Sequence, residues 1–239
     1  MRSAFRHPHT PQRRKTARRQ LWLFDLDNTL HDAGWRIFDA IEQNMNHFIA
    51  ARLGQNLEQV SALRANYWRR YGATVLGLIR HHNISAEEFL HPVHALPDLR
   101  QMMRYEAGLA RLLRRLPGRK VLLTNAPAGY AKRVLHQLAL TRSFARHVPI
   151  EAMRVNRRLR PKPDKQMLRH LLRQEGFRAR DCILVEDSAK NLQSAKALGM
   201  RTVWITGYLT QHSRTPHWVD VKLPSVHALL RQHGSVRSR

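Results

Sequence analysis

Leu21-Trp22-Leu23-Phe24-Asp25-Leu26-Asp27-Asn28-Thr29-Leu30 is the stretch whose reading decides the fold. Four apolar residues run without a break into two carboxylates at i and i+2, and Asn-Thr follows. A short, continuous apolar run fits a strand buried on both faces, as in a parallel sheet. Asp25 then stands at the carboxyl end of that strand, where open α/β sheets bind ligands. Burying one carboxylate is costly and two neighbouring ones repel, so the pair calls for a cation or a shifted pKa. A strand followed by an Asx-type turn accounts for Asp27-Asn28. It does not account for Asp25 at the end of an otherwise apolar strand.

Downstream, residues 33–96 read as helical throughout. Ile37, Ile41, Met45 and Phe48-Ile49 recur at helical spacing, and so do Leu57, Val60, Leu63 and Tyr67. Gly54 and Gly72 punctuate the stretch, and Ser85-Ala86-Glu87-Glu88 has the form of a helix start. This is too long for one crossover helix and reads as an inserted helical module. Pro97-Asp98 then restarts the chain, and Leu109, Leu112, Leu113 and Leu116 form a stripe that Pro117-Gly118 ends. Lys120–Thr124 is a second strand, Cys182–Val185 a third and Arg201–Ile205 a fourth, with helices between them capped by Asp164 and Ser188. The alternation predicts an α/β fold with a doubly wound parallel sheet. The domain reading is a disordered basic tail over 1–20, a core over 21–32 and 97–239, and the helical insertion over 33–96. From Gly207 the tail holds one short helix around Val226, Leu229 and Leu230.

The chain has 239 residues, is 43% hydrophobic and carries a net charge of +25. Its size suits one large domain or a domain with an inserted module. With no apolar stretch long enough to span a bilayer, it reads as soluble, with no membrane partner. The single cysteine, Cys182, excludes an intrachain disulfide and fits a reducing, cytoplasmic setting. Residues 1–20 hold seven Lys/Arg and no acid, but residues 21–205 still carry +14. A field spread this widely attracts anions: nucleotides, phosphorylated metabolites or nucleic acid. A coding bias toward Arg accounts for it equally well.

Three strands end in polar residues: Asp25/Asp27, Thr124-Asn125 and Glu186-Asp187. In a parallel sheet these ends share one edge. A carboxylate such as Asp25 can attack phosphorus and form an aspartyl-phosphate, splitting a hard hydrolysis into two steps. A phosphomonoester dianion repels that carboxylate, so a hard cation such as Mg²⁺ is needed, held by Asp25 and Asp187 with help from Glu186. Asp27 is the candidate acid for the leaving oxygen and later base for the attacking water, a job that asks for a raised pKa. Thr124 and Asn125 offer a hydroxyl and an amide to phosphate where a helix begins. Lys162, mounted between two prolines, offsets charge on phosphate and on Asp25. Taken singly, Thr124-Asn125 and Glu186-Asp187-Ser188 also read as helix caps, and Lys162 as a surface base.

Together, Asp25-x-Asp27-x-Thr29, Thr124-Asn125, Lys162-Pro163 and Glu186-Asp187-Ser188-x-x-Asn191 resemble the four motifs of the haloacid dehalogenase superfamily, in order, over about residues 21–207. The resemblance implies a Rossmann-like core, Mg²⁺ as cofactor with the Asp27 backbone carbonyl among its ligands, and a helical cap over the site. The dehalogenases themselves lack the second carboxylate, so Asp27 favours a phosphatase or phosphomutase. Tyr71-Gly72-Ala73-Thr74-Val75-Leu76-Gly77-Leu78 and the opening Trp22-to-His31 segment resemble the pyrimidine 5′-nucleotidase branch. That implies a small phosphorylated partner, a nucleotide, with Tyr67, Trp68 or Tyr71 stacking on its base. Packing among the cap helices is the competing role for those aromatics. Sugar-phosphate phosphatase or phosphomutase is the alternative within the superfamily. A basic nucleic-acid-binding protein with a vestigial core is the alternative outside it. His81-His82 with His91 and His94 lack an acid or cysteine to complete a metal set.

Overall fold

A computed structural model describes residues 20–209 and 214–231, so the basic tail read over 1–20 lies, but for Gln20, outside the described residues. The first strand, β1 (Leu21–Phe24), is wholly buried and sits in the middle of a six-stranded parallel sheet. On one side lie β2 (Arg119–Leu123) and β3 (Arg146–Val148). On the other lie β6 (Cys182–Glu186), β7 (Arg201–Ile205) and β8 (Val221–Leu223). Between β3 and β6 a separate two-stranded hairpin pairs β4 (Arg154–Val155) with β5 (Arg158–Leu159). Leu21 is level with Arg119 of β2 and with Cys182 of β6, so the three central strands start in step and end in step. The chain winds outward through β2 and β3, then returns past β1 to build the other half. The β1–β6 boundary is therefore the topological switch point, where a crevice opens beyond the strand ends.

Alternation along β1 divides the core into two layers. Trp22 and Phe24 face one cluster, which includes Leu112 and Leu113 of α6 (Leu109–Arg115) and Val134 and Leu135 of α7 (Ala128–Gln137). Leu21 and Leu23 face the other, built on α8 (Lys165–Glu175) and α9 (Ala189–Lys196). Full burial of such side chains contributes roughly 1.5–3 kcal/mol each. The Trp22 indole N–H donates to the Pro117 carbonyl at 2.9 Å, so the ring is buried without an orphaned donor. Among the described residues, no helix is long and apolar enough to cross a membrane.

Residues 33–96 form four successive helices: α1 (Ile37–Leu53), α2 (Leu57–Tyr71), α3 (Thr74–His82) and α4 (Ala86–Val93). Asn56 and Ser85 open α2 and α4 with capping boxes, and Gly54 and Gly72 end α1 and α2 in the left-handed conformation. A short helix, α5 (Leu99–Met102), follows. The Asp32 N–H donates to the Arg104 carbonyl at 2.7 Å, which ties the outgoing chain to the returning one.

The sequence pattern missed β3, the β4–β5 hairpin and β8, each three residues or shorter. The tail reading held one helix, and the structure has β8 followed by a 3₁₀ turn at Val226–Leu230.

The α2–α3 contact is close at Gly77. A Cβ on Gly77 would come within 2.2 Å of the Tyr67 ring. Gly77→Ala is expected to destabilise the protein by about 1–3 kcal/mol through overpacking, read as a lowered melting temperature.

Candidate active site

The sheet delivers its polar strand ends to one crevice. Asp25 follows β1 directly, and its N–H still donates to the Val185 carbonyl at 3.0 Å, so the ladder fixes its backbone. Glu186 ends β6 and Asp187 follows it. Thr124 follows β2, and its N–H donates to the Val148 carbonyl at 3.1 Å. Lys162 arrives from the loop before α8, through a cis peptide bond to Pro163.

Lys162 holds the centre. Its Nζ donates to Asp25 Oδ1 at 2.6 Å and to Glu186 Oε2 at 2.7 Å, with all three side chains buried. Burial alone would pull the ammonium's pKa down, but the two carboxylates raise it above the ordinary lysine value, so it stays charged. One cation does not balance three acids. Burial, then the charge of Glu186, pushes Asp25 up to about 8. Burial also lifts Glu186 to about 7, and burial with the charge of Asp25 lifts Asp187 to about 6. Carboxylate oxygens of Asp25, Glu186 and Asp187 lie within 4.8 Å of one another. This donor set suits a hard divalent cation, which would supply the missing positive charge.

Asp27 differs from the sequence expectation of a raised pKa. Burial works against its charge, but hydrogen bonds from His31 Nε2 at 2.9 Å and Tyr130 Oη at 2.7 Å outweigh it. Both donors meet Oδ1, and the carboxyl is held below its usual range. Tyr130 is buried beside that charge, so its phenol stays protonated well above its ordinary value.

Asn125 bonds the backbone of Lys162. Its Nδ2 donates to the Lys162 carbonyl at 3.0 Å and its Oδ1 accepts the Lys162 N–H at 2.9 Å, so both polar ends of the amide hold the lysine's backbone. Thr124 Oγ1 accepts the Ala126 N–H at 3.0 Å and shapes the turn into α7. Ser188 N–H donates to Glu186 Oε1 at 3.3 Å, which engages the second oxygen of that carboxylate.

All seven core residues read from the sequence (Asp25, Asp27, Thr124, Asn125, Lys162, Glu186 and Asp187) line one cavity of about 570 Å³. Phe38, Ile41, Met45 and Phe89 from the helical insertion form apolar wall. Of the three aromatics read as base-stacking residues, only Trp68 lines this cavity; Lys190 of α9 approaches its ring at 5.4 Å. Tyr67 is buried on Gly77 and hydrogen-bonded to His82 at 2.7 Å. Tyr71 bonds to His81 at 2.6 Å and faces a separate cavity beside Leu159 and Pro161. Tyr67 and Tyr71, four residues apart, share the face of α2 that meets α3, while Trp68 sits round the helix on the cavity side. The sequence reading assigned no role to His31 and Tyr130, which bond Asp27, or to Arg64 and Lys190, which line the cavity. His31 stands four residues after Asp27, a faint signal, while Tyr130 had none.

Comparison with known proteins agrees with this arrangement. A family model described as haloacid dehalogenase-like hydrolase matches residues 20–199. Phosphoglycolate phosphatase 1 of Pseudomonas aeruginosa is 27% identical over 208 residues, 82% of this chain and 72% of that protein. Phosphate metabolism protein 8 of Saccharomyces cerevisiae is 24% identical over 194 residues, 76% of this chain. The match spans only 60% of the yeast protein's length. Among solved structures, the HAD-hydrolase YfnB of Bacillus subtilis, bound to magnesium, matches with a TM-score of 0.58 at 16% identity, covering 90% of this chain and 98% of that one. With its sheet, its converging strand ends and a family match over most of its length, the chain belongs to the haloacid dehalogenase-like hydrolases.

Proposed function

We propose that the protein is a Mg²⁺-dependent phosphomonoesterase that works through an aspartyl-phosphate on Asp25, with a nucleoside 5′-monophosphate, a pyrimidine one, as preferred substrate. The observation that carries this is Lys162, buried and bonded to both Asp25 and Glu186 at the floor of an open cavity. An ammonium there can offset charge on a phosphoryl group as a carboxylate attacks it. In this reading residues 21–32 and 97–239 are the catalytic core and residues 33–96 the cap.

Asp25 and Asp187, with the Asp27 backbone carbonyl, would hold the ion, and Glu186, whose two oxygens are already engaged by Lys162 and Ser188, would support it from behind. When bound, Mg²⁺ supplies positive charge to the phosphoryl oxygens. An oxygen of Asp25 forms a bond to phosphorus as the ester bond breaks, and Asp27 gives its proton to the departing oxygen. An arriving phosphate dianion raises the pKa of Asp27 from its low resting position, which lets it carry that proton. Water then attacks the aspartyl-phosphate, its proton passing to Asp27. Trp68 and the apolar wall suit a flat base. The excess of Lys and Arg favours encounter with anionic substrates.

A second reading, a sugar-phosphate phosphatase or phosphomutase on the same core, draws on the Pseudomonas relative, whose name gives phosphoglycolate as substrate. Nucleic-acid binding with a vestigial core has less support, because the charged groups of the site are all in place.

Asp25→Asn is expected to lower turnover by about 10³-fold or more in a phosphate-release assay, with the fold retained. Full activity in this variant removes Asp25 as nucleophile.

Asp25, Glu186 and Asp187 have raised values in the folded chain, so their contribution to stability is present below pH 4 and is lost as pH rises through about 6 to 8. The metal-free protein should therefore melt at lower temperature at pH 8 than at pH 5. Added Mg²⁺ should raise the melting temperature most at pH 8, and a chelator should silence turnover. A pH-independent effect of Mg²⁺ on melting would count against this carboxylate set.

Trp68→Ala is expected to raise KM for nucleoside monophosphates by about 10-fold, the size of one lost stacking contact, while sparing small sugar phosphates. A substrate panel in which sugar phosphates turn over and nucleotides do not would move the assignment to the second reading.

A further inference from the structure

Asp27 is the only carboxylate of the site bonded to a histidine and a tyrosine among the described residues. The two donors come from distant parts of the chain. His31 lies one turn past Asp27 and is fully buried. Tyr130 lies in the first turn of α7, beyond the Thr124-Asn125 loop. Their bonds of 2.9 and 2.7 Å converge on the same oxygen, Oδ1. A backbone bridge also joins Asp27 to His31. Oδ2 takes no hydrogen bond from any described residue and is not among the buried, unpartnered atoms, and Asp27 lines the main cavity. The Tyr130 ring is itself braced. His94 packs edge-on against it at 5.5 Å, and His94 Nδ1 donates to the Leu90 carbonyl at 2.9 Å.

We propose that His31 and Tyr130 are positioning residues that pin Asp27 by Oδ1, so that Oδ2 alone is presented to the ester oxygen of the substrate. The proposal rests on the phosphomonoesterase reading above and goes further by naming the oxygen that moves the proton and the two groups that aim it. In the first half-reaction the Asp25–phosphorus bond forms, the phosphorus–ester bond breaks, and the proton on Oδ2 passes to the leaving oxygen. In the second, water bonds to phosphorus, the Asp25–phosphorus bond breaks, and the water's proton returns to Oδ2. A carboxylate held at both oxygens could do neither. One held at none would spend much of its time turned away, because side-chain torsions of this kind have broad wells.

The leaving group separates aim from architecture. An alkoxide needs a proton as it departs, whereas p-nitrophenolate leaves without one. Tyr130→Phe removes one hydroxyl and keeps the ring that His94 packs on. With Mg²⁺ present, it should lower kcat/KM, which reports only the steps through phosphoryl transfer to Asp25, by about 10–100-fold for the best alkyl phosphate of the substrate panel. It should lower kcat/KM for p-nitrophenyl phosphate by less than about 3-fold, whereas a loss in the shared hydrolysis of the aspartyl-phosphate lowers the kcat of both esters alike. His31→Leu should behave in the same way, and His31→Gln, which keeps an N–H donor, should recover part of the alkyl-phosphate rate. Equal losses of kcat/KM on the two esters, or no loss of kcat/KM on the alkyl ester, would overturn the proposal. If the buried His31 variants do not fold, Tyr130→Phe decides alone. Asp25→Asn run alongside distinguishes the two levels. Loss of both activities there with equal losses in Tyr130→Phe sinks only the positioning role, while an active Asp25→Asn sinks the phosphomonoesterase reading beneath it.

Discussion

A single buried ammonium makes this site tenable. Lys162 reaches two carboxylates that arrive on different strands, and with Asp187 beside them three acids share one fixed positive charge. In a low-dielectric setting such an excess would neutralise itself by taking up protons, and the upward displacement of Asp25, Glu186 and Asp187 is that tendency at work. The chain has arranged a place where positive charge is wanted and where one side, the cavity, is open to receive it. A divalent ion supplies that charge, and a phosphate dianion can then approach the carboxylates.

The sheet makes the arrangement geometrically cheap. Because β2, β1 and β6 start level with one another, their ends fall side by side without any long loop having to reach. Adjacent parallel strands keep their ends about 5 Å apart, close to the separation that carboxylates around one ion require. The reversal in strand order beside β1 opens the crevice, and the helices that leave β1 and return at Arg104 wall it. The acids of the site come from strand ends, Lys162 comes from the loop before α8, and the apolar wall comes from helices of the insertion.

Much of this was legible in the amino-acid order because burial leaves a simple trace. An unbroken apolar run that stops at acids fits an inner strand reaching a ligand edge, and it occurs at Phe24-Asp25 and again at Val185-Glu186. The edge strands were lost because they are short and half exposed: Arg146 and His147 carry no apolar alternation. Side-chain partnerships across long separations were lost for a different reason. Nothing near Tyr130 signals that its hydroxyl meets an acid 103 residues earlier, and nothing near Asn125 signals a lysine 37 residues ahead. The order of residues in α2 likewise does not display that Tyr67 packs where a glycine on the next helix leaves room for its ring.

The Asn125 amide has a mechanical consequence. By taking both the N–H and the carbonyl of Lys162, it imitates a neighbouring peptide group and supplies the rung that a further strand would have provided. The loop leaving β2 and the loop entering α8 are thereby cross-braced, like two arms of a caliper locked at one opening. The turn at Thr124-Asn125 and the backbone that carries the Lys162 ammonium are tied as one piece.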